Sequence, residues 1–220
     1  MATAIKSSSA FTDDKDLNLA FPTEFIPAEV RAVLPEDLHI RPLSSTDYHR
    51  GHIQVLSVLS HAPDPGYNAW LSHFNALKLT ASTPAPSGGL LRPTPTRANT
   101  GQGLKSNQVY FPIVIVSKAN DQVVGTGTVF MEKKFLRGLG TVGHIEDIAV
   151  DKSQQGKKLG LRIIQVLTGI SEGLGAYKTI LNCSDHNIPF YEKCGFVKKE
   201  NEMAKYAPGE RSQTPVPPRL

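Results

Sequence analysis

Gly143-His144-Ile145-Glu146-Asp147-Ile148-Ala149-Val150 runs into Asp151-Lys152-Ser153-Gln154-Gln155-Gly156-Lys157-Lys158-Leu159-Gly160, and this stretch decides the fold. Its first half reads as an apolar strand, interrupted by two adjacent acids. From Leu159 onward apolar residues recur at Ile163, Val166, Leu167, Ile170 and Leu174, the spacing of a helix rather than a strand. Glycines where a strand meets a helix let backbone N–H groups approach an anion, and the helix N-terminus adds a partial positive charge. A diphosphate is the expected guest. The loop lacks Gly-x-x-x-x-Gly-Lys-[Ser/Thr], which excludes a P-loop, and it lacks Gly-x-Gly-x-x-Gly, which argues against a dinucleotide fold.

Outward from this stretch the pattern is mixed α/β (α+β). Residues 109–116 and 123–132, separated by Lys118-Ala119-Asn120-Asp121, read as a hairpin, and 133–142 as a loop. After the helix come a strand at 178–183, a short helix at 187–194 ended by Gly195, and a return to the sheet at 196–205. Upstream, 38–43 reads as the first strand. A helix capped by Ser44, Ser45 or Thr46 is expected through about Leu59, and another from Pro65-Gly66 to Leu79 with Trp70 and Phe74 on its buried side. Residues 1–37 form a partly ordered N-terminal extension, in which 27–34 is expected as a short helix packed on the body. Residues 38–206 form the domain, with a Pro/Gly/Ser/Thr-rich insertion at 82–106 whose composition cannot build a core. Residues 207–220, with Pro215, Pro217 and Pro218, read as a disordered tail.

Composition narrows the function classes. The chain has 220 residues, enough for one sizeable core, and a net charge of +4 from 24 basic and 20 acidic residues. The cations are scattered and not interleaved with aromatics, so no nucleic-acid partner is expected and anionic small molecules account for the excess. No stretch approaches the roughly 20 apolar residues a membrane helix requires. The first residues lack the apolar centre of a signal peptide, so the expected location is cytoplasmic. Cys183 and Cys194, the only cysteines, have no metal spacing or disulfide framework and read as reduced thiols; no metal is expected.

Gln155-Gly156-Lys157-Lys158-Leu159-Gly160 resembles the Gln/Arg-x-x-Gly-x-Gly/Ala signature of the GNAT acetyltransferase superfamily, whose loop holds the pyrophosphate of acetyl-CoA. Lys158 stands where the middle glycine is usual. A lysine still donates its backbone N–H there and adds a cation near phosphate. The flanks resemble one family within that superfamily, the glucosamine 6-phosphate N-acetyltransferases, from about Val109 to Met203. The matching residues are Glu132-Lys133-Lys134-Phe135-Leu136-Arg137-Gly138, Gly143 to Val150, Tyr177-Lys178, and Asn187-Ile188-Pro189-Phe190-Tyr191-Glu192-Lys193-Cys194-Gly195-Phe196. The resemblance implies a GNAT fold: a central mixed, mostly antiparallel sheet flanked by helices, with its fourth and fifth strands splayed to admit the pantetheine arm. It also implies a homodimer in which the partner contributes to the sugar site. The implied reaction is acetyl transfer from acetyl-CoA to the amine of D-glucosamine 6-phosphate, by direct attack in a ternary complex, feeding UDP-N-acetylglucosamine synthesis.

Amide formation requires a neutral amine, a polarised thioester carbonyl and a proton for the departing thiolate. The resemblance assigns Glu146 to proton removal and Asp147 to the sugar hydroxyls or amine. Strand alternation would turn one toward the cleft and the other away. The superfamily resemblance implies that Ile148 and Val150 supply backbone donors to the carbonyl oxygen, with Ala149 between them against the cofactor. The Asn182 carbonyl orients the amine, and Tyr191 protonates or hydrogen-bonds the thiolate. A tyrosine pKa near 10 lies above that of a thiol near 8.5, which favours the hydrogen bond. Asn187 bonds the pantetheine. Lys134, Phe135, Leu136, Arg137, Tyr177 and Lys178 form the sugar-phosphate side, with Ile148 and Ser60 as further contacts. Two other readings remain open from the residues alone: an acetyltransferase for a protein or polyamine amine, and a non-catalytic acetyl-CoA binding module.

Overall fold

The computed structural model describes residues 11–79, 107–154 and 156–207. The expected insertion at 82–106, Gln155 and tail residues 208–220 lie outside them. The chain divides into two compact units, Met1–Leu181 and Asn182–Leu220. In the first, β1 (Leu38–Pro42), β2 (Tyr110–Ser117), β3 (Gln122–Lys133), β4 (Thr141–Val150) and β5 (Ala176–Leu181) form one sheet in chain order. The first three pairings are antiparallel and β4–β5 is parallel. The helices of this unit are α1 (Ala28–Ala32), α2 (His52–Leu56), α3 (Tyr67–Leu79), α4 (Leu136–Leu139) and α5 (Leu159–Gly173). A parallel neighbour needs a crossover, and α5 supplies it between β4 and β5.

The helical stripe read from the sequence is the one that packs. Ile163, Ile164, Val166, Leu167 and Ile170 of α5 are at most 1 % exposed, whereas Leu174, just past the helix, is only half-buried. Each such side chain contributes about 1.5–3 kcal/mol on leaving water. Gly127 of β3 makes the close approach possible: a Cβ there would lie 2.7 Å from Cγ2 of Ile163 and 3.0 Å from Cδ1 of Leu167. Trp70 and Phe74 are buried as expected and stack with ring centroids 5.8 Å apart. The segment preceding the domain contributes to the same core. Phe21 and Phe25 meet Phe111 of β2 at 5.1 and 5.6 Å between centroids, and the Pro27 ring lies over Gly169 of α5 just ahead of α1.

Two expectations are corrected. The helix expected to run through Leu59 is instead a 3₁₀ turn, Asp47–Arg50, and the short α2, separated by Gly51 at φ 87°. The cause is Asp47, which is fully buried and grips the equally buried Arg41 through two bonds of 2.7 Å while accepting the Ser44 N–H. A buried ion pair is held by geometry, because losing either partner strands the other charge. That geometry fixes the turn before a long helix can form. The same region fastens the N-terminal segment: the Asp14 carboxylate meets His39 at 2.9 Å, Thr12 Oγ1 donates to Asp121, and Leu19 bridges Ser44. The second correction concerns 196–205, expected as a strand. Residues 197–205 are exposed and form no strand. Lys198, Lys199, Glu200, Glu202 and Lys205 leave no apolar alternation to bury a face.

His52 sits 9 % exposed under Trp70, whose Nε1–H donates to Nδ1 at 3.2 Å. Nε2 therefore carries the proton and faces Thr126 Oγ1 at 3.2 Å, which itself donates to the Ile113 carbonyl at 3.0 Å. Burial pushes the His52 pKa down to about 4, against the pull of Asp47. A folded pKa below the unfolded value of about 6.5 makes this stabilisation complete above that pH and progressively lost on acidification toward 4. We predict that chemical denaturation will show unfolding free energy falling by about 3 kcal/mol between pH 6.5 and 4 through this group. His52→Gln, whose amide can accept from Trp70 and donate to Thr126, will flatten that part of the profile.

Candidate active site

The parallel ladder between β4 and β5 ends at Ile145↔Leu181, and from Glu146 onward β4 pairs with β3 alone. Where the ladder ends, β4 also gains a residue. Thr126 faces Ala149 and Thr128 faces Glu146, so Gly127 alone spans two residues, Asp147 and Ile148. This is a β-bulge, with Asp147 in the left-handed region at φ 57°. It corrects the expected alternation of Glu146 and Asp147: both are exposed, because the extra residue breaks the two-residue repeat between them. Past the bulge regular pairing resumes. The Asp151 N–H donates to the Val124 carbonyl at 2.9 Å, so alternation turns the Val150 N–H away from β3, toward the side that β5 has left.

The loop expected to hold the cofactor begins with a 3₁₀ turn, Lys152–Gln154, closed by Asp151, whose Oδ1 accepts the Ser153 N–H at 2.8 Å. Bonds from Ser153 hold the Asp151 carboxyl below its ordinary pKa. Gly156 follows at φ 86°, and Lys157 reaches back to Asp37 at 3.0 Å. That bond also lowers the Asp37 pKa. Lys158, the residue standing at the usual glycine position, is left-handed at φ 58°. It is the N-cap of α5 and gives no side-chain hydrogen bond, so the cap leaves the first-turn N–H groups to an outside acceptor. Leu159 is buried and seats the helix start; Gly160 is half-buried.

The loop between β3 and β4 is held by the Lys134 N–H donating to the Gly140 carbonyl at 2.8 Å. Within it α4 is a distorted turn: Arg137, Gly138 and Leu139 all have positive φ. Phe135, Leu136 and Leu139 are 95, 74 and 72 % exposed, so an apolar tip stands beside cations. Arg137 lies 5.8 Å from the Tyr177 ring centroid, bringing together two of the expected substrate residues. Lys178 and Ser60 are exposed, with no contact to that pair recorded among the described residues. Sequence reasoning missed Glu132 as a site neighbour: its carboxylate binds both Lys134 Nζ and His144 Nε2. Its spacing two residues before Lys134, at the end of β3, was the available signal.

The second unit carries Asn182, Asn187 and Tyr191. A 3₁₀ turn, Asp185–Asn187, leads into α6 (Ile188–Lys193), with Pro189 in the first turn, where its missing N–H costs nothing. The Phe196 N–H returns to the Tyr191 carbonyl at 3.0 Å, and the Tyr191 ring meets Phe190 and Phe196 edge-on. Burial, with smaller contributions from Cys183 and Cys194, raises the phenol above its ordinary pKa. A raised pKa makes full proton release harder and leaves Tyr191 a hydrogen-bond donor.

Residues 90–196 match the family described as Acetyltransferase (GNAT) family. The chain is 33 % identical over 189 residues to glucosamine 6-phosphate N-acetyltransferase 1 of Dictyostelium discoideum, spanning 86 % of this chain and 99 % of that protein. It is 35 % identical to the Candida albicans glucosamine 6-phosphate N-acetyltransferase, over 78 % of this chain and 97 % of that one. The crystal structure of the Arabidopsis thaliana glucosamine-6-phosphate N-acetyltransferase superposes with a TM-score of 0.64 at 30 % identity, covering 78 % of this chain and 99 % of that chain. The family match and the superposition thus define a GNAT acetyltransferase. Within that class the chain belongs to the glucosamine 6-phosphate N-acetyltransferase family. No helix among the described residues is long and apolar enough to cross a membrane.

Lys158 pays for its left-handed backbone, a cost glycine avoids at the expense of unfolded-state entropy. We predict that Lys158→Gly will raise stability by about 0.5–1 kcal/mol in thermal unfolding, whereas Lys158→Ala will bring no gain.

Proposed function

We propose that this chain transfers the acetyl group of acetyl-CoA to the amine of D-glucosamine 6-phosphate, giving N-acetyl-D-glucosamine 6-phosphate and CoA. The observation that carries the reading is the end of β4: two exposed carboxylates and a backbone N–H turned out of the ladder lie on the strand that feeds an uncapped helix N-terminus. The cosubstrate fits this chain's own chemistry. Gly156, Lys157, Lys158, Leu159 and Gly160, with Gln155, would hold the pyrophosphate through N–H groups and the α5 dipole. Asn187 would bond the pantetheine.

The acceptor nitrogen arrives largely as an ammonium, and Glu146 takes its proton directly or through water, with Asp147 holding a sugar hydroxyl or the amine. The Asn182 carbonyl orients the nitrogen. Nitrogen then attacks the thioester carbonyl; the N–C bond forms, the C–S bond breaks, the second proton shed by the nitrogen is released to water, and the Ile148 and Val150 N–H groups, flanking Ala149, stabilise charge on the carbonyl oxygen. Tyr191 donates a hydrogen bond to the departing thiolate, the role its raised pKa favours over full proton transfer. Lys134 and Arg137 bind the phosphate, Arg137 over Tyr177, with Phe135, Leu136, Lys178 and Ser60 as further contacts. The exposed apolar tip at Phe135, Leu136 and Leu139 supports a homodimer in which a second copy covers it and shares the sugar site. The cytoplasm, where the product would feed UDP-N-acetylglucosamine synthesis, is the proposed location.

Thiol release measured with glucosamine 6-phosphate, glucosamine, a polyamine and a lysine peptide tests the reading; release highest with the peptide or polyamine would overturn it. Two variants refine the assignment of roles. Arg137→Ala is expected to raise KM for the phosphorylated sugar about tenfold or more while sparing KM for acetyl-CoA, and equal losses for both would remove Arg137 from the phosphate site. Tyr191→Phe is expected to lower kcat by about tenfold or more with cofactor affinity nearly intact; an unchanged rate would remove it from the chemistry.

A further inference from the structure

Beyond the residues assigned above, one face of the sheet carries a connected set of side chains leading to Lys134. Phe130↔His144 and Thr128↔Glu146 are cross-strand pairs, and Glu132 lies two residues beyond Phe130, so Phe130, Glu132, His144 and Glu146 share this face. The His144 imidazole stacks on Phe130, 4.6 Å between centroids at 17°, and Phe130 in turn meets Tyr110 at 5.6 Å. Phe130, itself backed by Tyr110, therefore fixes the imidazole plane. His144 Nε2 then meets one Glu132 oxygen at 2.8 Å, and Lys134 Nζ donates to the other. With both oxygens engaged, the carboxylate has one orientation. Lys134 is consequently gripped at both ends, by Gly140 at its backbone and by Glu132 at its ammonium.

We propose that Glu132 and His144 are positioning residues for phosphate recognition, aiming the Lys134 ammonium at the phosphate of the acceptor sugar. The inference rests on the proposed function and extends it. A lysine is a point charge on a flexible stem, and its rotamer freedom must be given up on each binding event. Holding the ammonium in advance removes that cost before substrate arrives. The Lys134 and His144 bonds keep the Glu132 carboxyl below its ordinary pKa, so it stays an acceptor under working conditions.

The test is steady-state kinetics of the full chain and its Glu132→Ala, Glu132→Gln and His144→Ala variants with glucosamine 6-phosphate and with unphosphorylated glucosamine. Glu132→Ala is expected to raise KM for the phosphorylated sugar about tenfold, leaving kcat, KM for acetyl-CoA and kcat/KM for glucosamine within about twofold. Glu132→Gln, which keeps an oxygen for Lys134, is expected to recover KM to within about threefold of the unmodified chain, and His144→Ala to fall between the two. A structural role would lower both sugars together. Equal losses on both, or no change in KM, would overturn the inference while the unmodified chain still prefers the phosphorylated sugar. An unmodified chain without that preference would overturn the proposed function and this inference with it.

Discussion

The separation of β4 from β5 after Ile145↔Leu181 is the constraint on which the rest of the first unit depends. A strand in the middle of a sheet spends its N–H and C=O groups on both neighbours and has none to offer a substrate. Here β4 keeps its bonds to β3 and loses those to β5 over its last five residues. The bulge at Asp147 and Ile148 adds the extra residue at the place where pairing lapses on one side. Gly127, opposite the bulge, has no side chain, and Ile163 and Leu167 of α5 fill the space. One glycine, set opposite the bulge, thus permits the close approach of the helix.

A gap in a sheet is costly unless the surroundings hold its edges apart. On one side α5 is packed by a nearly solvent-free stripe. On the other, α2 and α3 are tied to the sheet through Trp70, His52 and Thr126, a chain of bonds that needs a neutral imidazole. The Arg41–Asp47 pair locks the turn before α2 and draws in the N-terminal segment. Charges that a smaller core would exclude are here enclosed and paired, which favours one geometry more than it adds stability. The left-handed backbone at Asp147 and Lys158 is held within this frame, in the β4 bulge and at the N-cap of α5.

Most of the scaffold was legible in the residues. The period of α5, the hairpin at 118–121 and the burial of Trp70 and Phe74 follow from spacing, because a helix or strand face repeats in sequence. What was illegible arises from non-local contacts. The shortened α2 results from Arg41 and Asp47 meeting across a turn, which no local propensity records. The bulge forms opposite Gly127, twenty residues before Asp147 in the chain, so alternation misplaced the two acids. Residues 196–205 were expected to return to the sheet, but the charges at Lys198, Lys199, Glu200, Glu202 and Lys205 leave no face to bury. At the proposed site, Gly156 and Lys158 read from the sequence as a phosphate loop, and the positive φ of Lys158 accounts for the glycine usual there. Glu132 escaped notice because a surface acid next to a lysine reads as a solvated pair until His144 is seen to bind its other oxygen.

The central claim is that the strand end past Ile145 presents backbone N–H groups to the acyl donor. Amide hydrogen exchange, followed residue by residue with and without saturating acetyl-CoA, tests it most directly. The account predicts marked slowing at Val150 and Ile148 on binding, with little change at Ala149, whose N–H already faces β3. Unchanged exchange at Val150 and Ile148 in a demonstrably saturated complex would contradict it.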